Sequence, residues 1–504
     1  MRAYCRGGAP ISLKKTLKSV CKTVHCSFET DVKTQGCVSD PEEVWPGGVF
    51  FVLCPPEEAV EAVGIAIYRG CSAVVADRPI LGAETVPFFV VPNVREAFGV
   101  CCQAIYDYPA KSLKVIGITG TSGKTTTSYL ISGILAEAGY ETGLIGSLGI
   151  FDGQLYHAAE ETTPTPDKLA AWLHRIAENG CTHVIIEASS QAIAEARLAG
   201  IKFDAVCVTN IRRDHLDYHQ TVEQYRRTKL NVFKYARKKA LAVCNVDDRI
   251  TEAILPLIDH PLLTVGMRNQ AEVNAVLVER FRSEQTFIVT AGTDAVPFRT
   301  TTIGDEFIYN CLTATAVGIG LGIDLKTIAR GIERVESVPG RMERIECGQN
   351  FGVFIDSART TDSLSAALRT VREVTEGRLF CVFGAASHLE SAKRQTLGKA
   401  IDSLADHAVL TSATDRLDSE TAAAICDIGK GFASSGGVRI MPDRAEAIAW
   451  TLSKAGPNDS VLIIGKGEND LHFPETAVPP FCDRLFAKQW LYENHAEEYT
   501  LLGS

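Results

Sequence analysis

Short apolar, β-branched runs alternate with amphipathic stretches along the middle of the chain. Runs that fit buried parallel strands cover residues 113–119, 183–187, 205–209 and 240–245. After the first run, apolar residues recur at helical spacing as far as Gly139, where a helix would end. This alternation predicts an α/β fold built on a parallel sheet.

Similar patterns predict a block on each side of this middle part. In the first block we predict a turn and then a strand within 47–53, a helix at 57–67, a strand at 72–76 and a fourth element at 88–91. After a break at Val338-Pro339-Gly340, we predict strands at 353–356, 379–383, 408–411 and 460–464. The length of 504 residues fits about three domains. We therefore predict domains at residues 1–110, 111–337 and 338–504.

A glycine-rich turn follows the first central strand. Residues 120–125 read Gly-Thr-Ser-Gly-Lys-Thr and lead into the helical pattern. The backbone N–H groups of such a loop and of a helix N-terminus bind polyphosphate. Lys124 would reach the terminal phosphates of a nucleotide, and Thr125 Oγ would ligate Mg²⁺. Since Ile118 stands where the longer phosphate-loop pattern has glycine, the loop taken alone also fits a simple turn.

Composition narrows the class of protein. The chain is 46% hydrophobic and 22% charged, which predicts a sizeable core, and its net charge of −10 comes without a long basic run. We therefore expect no nucleic-acid partner, and no apolar run reaches the length of a membrane span. The 16 cysteines include no C-x-x-C pair and many lie in apolar runs, which favours a reducing compartment. We expect a cytoplasmic monomer.

The basic N-terminus has two interpretations. Residues 1–28 carry six lysines and arginines and no acid. A targeting arm is one interpretation, but an apolar central region is missing. We expect instead a basic first helix from about Ser12.

Two further motifs lie at the ends of predicted central strands, where ligands of open α/β sheets bind. Glu187 closes a buried strand, and a carboxylate there needs a cation or hydrogen-bond donors. Residues 209–219 form a dense Asp/His cluster around His215, which suits a divalent cation or a phosphate network. The alternatives are a helix-capping carboxylate and a solvated loop.

The order and spacing of these motifs resemble the Mur ligases, and most closely the E-type. The resemblance rests on residues 120–125, 162–164, 187–190, Arg197, 209–219, Tyr225, Lys229, 245–248, 309–310, 338–343, Asp356, 362–364 and 465–467. It covers nearly the whole chain and is strongest in the middle.

The resemblance implies an architecture and a reaction. The N-terminal domain would hold the UDP part of an acceptor, the central domain would bind ATP and Mg²⁺, and a Rossmann-like C-terminal domain would bind the amino acid. The acceptor carboxylate would attack the γ-phosphate of ATP, and the incoming amine would then displace phosphate from the acyl phosphate. E-type members add an amino acid to UDP-MurNAc-L-Ala-D-Glu during peptidoglycan precursor synthesis, a step of cell-wall biogenesis that supports cell shape and division.

The resemblance also assigns roles to residues. The catalytic group is Lys124, Glu187, His215 and Lys229. The nucleotide contacts are Gly120, Thr121, Ser122, Gly123, Lys124, Thr125, Thr126, Asn310, Arg341 and Asp356. The metal ligands are Thr125, Glu187, His215 and Lys229, the last matching a lysine that is carbamylated in the family. The substrate contacts are Thr162, Thr163, Ser190, Arg197 and Arg416. The helical pattern around Lys229, taken alone, predicts a solvated lysine.

Departures from the family pattern cluster in the flanking domains. Residues 40–42 read Asp-Pro-Glu where the family has Asp-Ser-Arg, and proline cannot donate a hydrogen bond while glutamate repels phosphate. Residues 413–416 read Ala-Thr-Asp-Arg where the family reads diaminopimelate with Asp-Asn-Pro-Arg, and Gln191 replaces a histidine. We therefore expect that the chain does not recognise diaminopimelate, and UDP recognition stays open.

Three hypotheses follow from this combination. The chain is an active E-type ligase with an altered choice of amino acid, a Mur-type ligase that uses a different carboxylate acceptor, or a non-catalytic paralogue that binds ATP. The retained set of Lys124, Glu187, His215 and Lys229 favours an enzyme.

Overall fold

In the computed structural model, which describes residues 10–27, 31–386, 391–413, 418–466 and 481–495, the predicted apolar runs form strands of sheets rich in parallel pairs. The chain divides into two units. The first takes in residues 1–121, 139–244 and 250–262, and the second takes in 122–138, 245–249 and 263–504. The chain thus passes from the first unit to the second inside the glycine loop, after Thr121.

The first hundred residues form a small sheet with helices. The elements are β1 (Ile11–Ser12), α1 (Leu13–Val20), β2 (His25–Cys26), β3 (Lys33–Thr34), β4 (Cys37–Val38), β5 (Val49–Phe51), α2 (Ala59–Tyr68), β6 (Ala73–Ala76), β7 (Phe88–Val90) and α3 (Val94–Ile105). The sheet order is β2-β7-β6-β5-β4, with β4 to β7 parallel. The predicted first helix is confirmed, because the Ser12 hydroxyl accepts the Lys15 N–H at 3.1 Å and starts α1.

The elements around the glycine loop follow. They are β8 (Lys114–Thr119), α4 (Lys124–Glu137), β9 (Thr142–Gly146), β10 (Gly149–Phe151), β11 (Tyr156–His157), α5 (Pro166–Glu178), β12 (His183–Glu187), α6 (Ser190–Ala194), β13 (Phe203–Val208), α7 (Leu216–His219), α8 (Val222–Leu230), β14 (Ala236–Asn245) and α9 (Arg249–Ile254). In the first unit the strand order is β11-β10-β9-β12-β8-β13-β14. Strand β8 pairs in parallel with β12 and β13, so that Glu187 lies opposite Ile118 and Val208 opposite Thr119.

The second unit contains a stretch that departs from the predicted alternation. Its elements are β15 (Leu262–Gly266), β16 (Val273–Arg280), β17 (Gln285–Ala291), β18 (Asp294–Thr300), α10 (Asp305–Gly320) and α11 (Leu325–Glu333). Strands β16 to β18 are antiparallel and joined by short turns, so the strand–helix prediction for residues 111–337 is wrong at 273–300. The physical reason is a two-residue period: Phe287 and Val289 are buried while Ile288 between them is exposed.

The last part of the chain forms a six-stranded sheet. Its elements are β19 (Glu343–Arg344), β20 (Gly352–Asp356), α12 (Thr361–Glu373), β21 (Leu379–Ala385), α13 (Ser391–Asp402), β22 (His407–Ser412), α14 (Ser419–Gly429), β23 (Val438–Ile440), α15 (Arg444–Lys454), β24 (Ser460–Ile464) and α16 (Asp483–His495). The order is β19-β20-β24-β21-β22-β23, with all pairs parallel except β19 with β20. Helices on both sides of a parallel sheet give the Rossmann-like form.

The α/β class is confirmed, because helices alternate with strands of sheets that contain many parallel pairs. The domain boundaries at 110/111 and 337/338 stay predictions. Within the described ranges, none of the helices has both the length and the apolar character needed to cross a membrane.

Helix α4, which starts at the glycine loop, packs closely on α11 through two glycines. A Cβ on Gly331 would lie 2.6 Å from the Cα of Ile134 and 2.9 Å from the carbonyl oxygen of Gly133. Neither distance leaves room for a side chain, because the obstacle on each side is backbone. The close approach therefore fixes the position of α4 in the second unit.

We predict that Gly331→Ala destabilises the second unit by about 1–3 kcal/mol, because the new methyl group forces α4 and α11 apart. The control is Gly64→Ala in α2, where an added Cβ meets no atom within 4 Å. That variant should gain up to about 1 kcal/mol from helix propensity. Scanning calorimetry of both variants measures the difference, and equal melting profiles would contradict the packing described here.

Candidate active site

The first half of the glycine loop is fixed against the end of β13. Gly120 has a φ of +153°, and a Cβ at this position would clash with the Thr209 side chain. The Thr121 N–H donates to the carbonyl oxygen of Asn210 at 2.9 Å. The Thr121 hydroxyl accepts the N–H of Arg212 at 2.9 Å and lies 2.9 Å from the Tyr225 hydroxyl. These contacts make glycine a requirement at position 120.

The second half of the loop leads into α4 and contacts α10. Gly123 has a φ of +87° and directly precedes Lys124, the first residue of α4. A Cβ on Gly123 would clash with the Asn310 side-chain oxygen, which also accepts the Thr127 hydroxyl at 3.3 Å. Thr125 and Thr126 are buried in the first turn of the helix, and Ser122 is partly exposed. Two positive-φ glycines that admit no side chain, ahead of a fourteen-residue helix, fit a phosphate group.

Arg341, a predicted nucleotide contact of the second unit, lies beside Thr125. The Arg341 guanidinium donates to the Thr125 hydroxyl at 3.3 Å and also to the Ser357 hydroxyl. Asp356, at the end of β20, accepts the N–H groups of Met342 and Ala358, each at 2.8 Å. Burial raises the pKa of the Asp356 carboxyl, and the charge of Arg341 acts in the opposite direction. Arg341 thus joins the helix start to the residues that follow β20.

Glu187 is fully buried at the end of β12 and is held by a residue that sequence reasoning missed. The Ser147 N–H donates to one carboxylate oxygen of Glu187 at 3.1 Å, and the Ser147 hydroxyl donates to the other at 3.2 Å. The same hydroxyl lies 3.0 Å from the Thr162 hydroxyl. Ser147 follows β9, a strand we did not predict, although the rule that ligands gather at strand ends would have pointed to it.

Thr163 and the serine pair lie beside Glu187. The Thr163 hydroxyl donates to the main-chain oxygen of Glu187 at 2.5 Å and accepts the Ser189 N–H at 3.1 Å. Ser189 caps α6 by accepting the Ala192 N–H at 3.1 Å, and Ser190 is the buried first residue of that short helix. The structure therefore brings Thr162, Thr163 and Ser190 to the strand end that carries Glu187.

Arg197 is buried between two glutamates. It forms ion pairs with Glu161 and Glu195 and donates to the carbonyl oxygen of Thr163 at 2.8 Å. Burial by itself raises the pKa of the Glu195 carboxyl, but the hydrogen bond from Gln191 and the charge of Arg197 outweigh it, so that this pKa is lowered. Sequence reasoning identified Arg197 and missed both glutamates.

His215, His219 and Lys229 gather around the buried ring of Tyr225. The His215 side chain is 60% exposed, and its ring lies 6.4 Å from the Tyr225 ring, while the ring of buried His219 lies 5.3 Å away. The Lys229 Nζ lies 5.1 Å from the Tyr225 ring centroid, a cation–π distance. Burial lowers the pKa of His219, and the charges of His215 and Lys229 add to this effect.

The plain prediction of a solvated Lys229 is wrong, because only 2% of this residue is exposed. Tyr225, Thr228 and Lys229 share the buried face of α8. The burial of Lys229 follows from tertiary packing, and the helical pattern of the sequence around it gives no sign of that packing.

A Mg²⁺ site in this protein would combine a few side chains with phosphate oxygens and water. Among the residues that the structure describes, no three His, Cys, Asp or Glu side chains come together to hold a metal ion. Mg²⁺ commonly binds one or two carboxylates together with substrate phosphates and water. In the first unit, the buried Glu187 carboxylate is a ligand of the type that such a site uses.

The divergent motifs of the flanking regions serve local structure. Asp40 accepts the Glu42 N–H at 2.9 Å, and Glu42 pairs with Arg69 at 3.4 Å. Near the last sheet, Arg359 donates to the carbonyl oxygen of Lys466 at 2.6 Å. Arg416, the predicted substrate residue, lies outside the described residues.

The hairpin that leads into the Glu161–Thr163 loop is held by Asp152. Its fully buried carboxylate accepts the N–H groups of Gln154 and Leu155 at 2.9 and 2.8 Å. It also pairs with His157 at 2.7 Å and with Arg175 at 2.8 Å. Burial opposes ionisation of Asp152, but these donors outweigh it and lower its pKa to about 2.

Two family models match the chain. The Mur ligase middle domain matches residues 118–318, and the Mur ligase, glutamate ligase domain, matches residues 340–467. A UDP-N-acetylmuramyl-tripeptide synthetase of Roseiflexus is 35% identical over 492 residues, 93% of this chain and 96% of the relative. A UDP-N-acetylmuramoyl-L-alanyl-D-glutamate–2,6-diaminopimelate ligase of Geobacillus thermodenitrificans is 34% identical over 459 residues, 89% of this chain and 93% of the relative.

Two solved structures are similar to this chain in fold. The structure of a UDP-N-acetylmuramoyl-L-alanyl-D-glutamate–2,6-diaminopimelate ligase superposes with a TM-score of 0.68 and 25% identity, over 97% of this chain and all of the other. The MurF ligase from Thermotoga maritima in complex with ADP shares the fold, with a TM-score of 0.59 and 18% identity over 93% of this chain and 98% of its own.

We predict that Asp152→Asn lowers the free energy of unfolding at pH 7 by about 1–3 kcal/mol, because the ion pairs are lost. The folded-state pKa is depressed to about 2, so this contribution is complete above the unfolded value of about 3.9 and disappears as the pH falls towards 2. Urea titrations at pH 7 and pH 3 measure this contribution to the free energy of unfolding. Asp294→Asn, at an exposed aspartate, is the control. A difference between wild type and Asp152→Asn that stayed constant with pH would contradict the assignment.

Proposed function

The chain belongs to the Mur ligase family of ATP-dependent, ADP-forming ligases, and from this premise we propose that it is a cytoplasmic UDP-N-acetylmuramoyl-tripeptide synthetase. The enzyme joins an amino acid to UDP-MurNAc-L-Ala-D-Glu and so makes a peptidoglycan precursor. The observation that carries the proposal is the match, at about a third identity and over about nine-tenths of both chains, to relatives with this activity in their names.

The reaction proceeds in two steps. A carboxylate oxygen of the acceptor attacks the γ-phosphorus of ATP, the bond from that phosphorus to the bridging oxygen breaks, and ADP leaves. The acceptor is then an acyl phosphate. The amine of the amino acid attacks the acyl carbon, the carbon–oxygen bond to phosphate breaks, inorganic phosphate leaves, and the amine gives up a proton as the amide forms.

The first step brings two anions together, so the protein must neutralise charge. Gly120 to Thr126 hold the phosphates, with Lys124 at the γ-phosphate. Arg341 contacts the Thr125 hydroxyl and extends positive charge to the same helix start. Asn310 lies against the loop at Gly123. Asn310 and Asp356 would contact the nucleotide.

Mg²⁺ supplies charge neutralisation and orients the phosphate oxygens when bound. We propose that Thr125, Glu187 and His215 would hold this ion and that Lys229, once carbamylated, would hold a second Mg²⁺. Ser147 keeps both Glu187 oxygens oriented and the Thr162 hydroxyl close to them. Thr162, Thr163, Ser190 and Arg197 hold the reacting end of the acceptor.

We predict that ADP and phosphate form only when ATP, UDP-MurNAc-L-Ala-D-Glu and an accepted amino acid are all present. A phosphate-release assay across a panel of amino acids measures this and identifies the amino acid. The proposed acceptor would be wrong if phosphate were released with a different carboxylate acceptor but not with UDP-MurNAc-L-Ala-D-Glu and any amino acid.

The same assay tests the site through Lys124→Ala, which should lower kcat by about 10²–10³ because a cation at the γ-phosphate is lost. The matched control is Lys326→Ala, which removes an exposed lysine from the first turn of α11 in the same unit. Turnover by Lys124→Ala equal to that of the control, in a protein of unchanged stability, would overturn the role of the glycine loop.

A further inference from the structure

The Arg197 guanidinium makes four hydrogen bonds with groups of the protein itself. The Nε group donates to Glu195 at 2.8 Å. Nη1 donates to Glu161 and to the carbonyl oxygen of Thr163, and Nη2 donates to Glu161 at 3.0 Å and is ion-paired with Glu195 at 2.8 Å. A guanidinium offers five donors and no more. Most of the donor capacity of Arg197 is therefore used within the protein.

The two ion pairs of Arg197 conflict with its place among the acceptor contacts. The terminal glutamyl residue of the acceptor carries two carboxylates, of which one reacts and the other stays ionised. The cluster of Arg197, Glu161 and Glu195 already carries one positive and two negative charges. A third carboxylate would add repulsion and compete for donors that the two glutamates already use, so one of the two glutamates must leave before the acceptor binds.

The structure distinguishes the two glutamates. The Glu195 side chain is 21% exposed and has two more donors, the Gln191 amide at 3.1 Å and the Tyr218 hydroxyl at 3.2 Å. The Glu161 side chain is 42% exposed and lies in the loop between β11 and α5, outside any helix or strand. Glu161 can rotate into water without unfolding an element, whereas Glu195 is the more firmly held.

We propose that Glu161 is an internal competitor of the acceptor: its carboxylate occupies Arg197 in the free protein and is displaced by the non-reacting carboxylate of the incoming acceptor. The proposal rests on the proposed function, since it requires an acceptor that ends in a dicarboxylic residue. An acceptor with a single carboxylate cannot both displace Glu161 and present its reacting group. Glu161 thereby selects for dicarboxylic acceptors and lowers the affinity of all of them.

The test is Glu161→Gln, which keeps the shape of the side chain and removes its charge. The matched control is Glu160→Gln, one position earlier in the same loop, where the 82% exposed carboxylate pairs with Lys168 at 2.6 Å and not with Arg197. We expect the KM for UDP-MurNAc-L-Ala-D-Glu to fall about fivefold in Glu161→Gln, the scale of one solvent-accessible ion pair. The KM for ATP should change less, and Glu160→Gln should leave both constants at the wild-type values.

Calorimetric titration with the dipeptide L-Ala-D-Glu makes the same comparison without catalysis and should give tighter binding, again about fivefold, to Glu161→Gln. An acceptor KM or dipeptide Kd that rises or stays equal in Glu161→Gln would overturn the proposal. It would show that the Glu161–Arg197 ion pair stabilises the loop between β11 and α5 and does not compete with the acceptor. Tighter dipeptide binding in a protein that turns over no UDP-MurNAc-L-Ala-D-Glu would instead uphold the role of Glu161 and refute the proposed function.

Discussion

The parallel pairing of β8 with β12 and β13 is the constraint on which the site depends. With Glu187 opposite Ile118 and Val208 opposite Thr119, three strands end at one level. The Thr119 hydroxyl then reaches the carbonyl oxygen of Ala188 at 2.9 Å, and its main-chain oxygen accepts the Thr209 N–H at 3.0 Å. This register places the start of the glycine loop next to the Glu187 carboxylate and the start of the Asp/His cluster.

The divergent residues of the first block lie apart in the chain from the residues that fix the strand ends. Gly120 and Thr121 contact residues just after β13 and Tyr225 of α8, and Glu187 contacts Ser147 just after β9. In the first block Asp40 keeps the family residue and accepts the Glu42 N–H, and Glu42, which replaces an arginine of the family pattern, pairs with Arg69. The changed residue Glu42 thus makes its contacts within the first block.

The parts of the site that the sequence predicts are those encoded by neighbours in the chain. The glycine loop follows its strand directly, and Glu187 closes an uninterrupted apolar run. Ser147 and Glu161 were missed because their roles come from contacts between separate segments, and the strand before Ser147 was not predicted. Glu195 was missed although it pairs with Arg197 only two residues away, because the sequence does not show that Arg197 is buried. The burial of Lys229 beside Tyr225 is decided by tertiary packing. The antiparallel strands at 273–300 were missed because their two-residue period was not recognised.

In the proposed reaction an acyl phosphate forms when the acceptor carboxylate attacks ATP. The most direct test uses acceptor labelled with ¹⁸O in the reacting carboxylate and follows the inorganic phosphate by mass spectrometry. We expect one ¹⁸O atom in each phosphate released from fully labelled acceptor, because the oxygen that attacks phosphorus leaves with it. Phosphate free of ¹⁸O, formed together with the amide product, would contradict an acyl-phosphate intermediate.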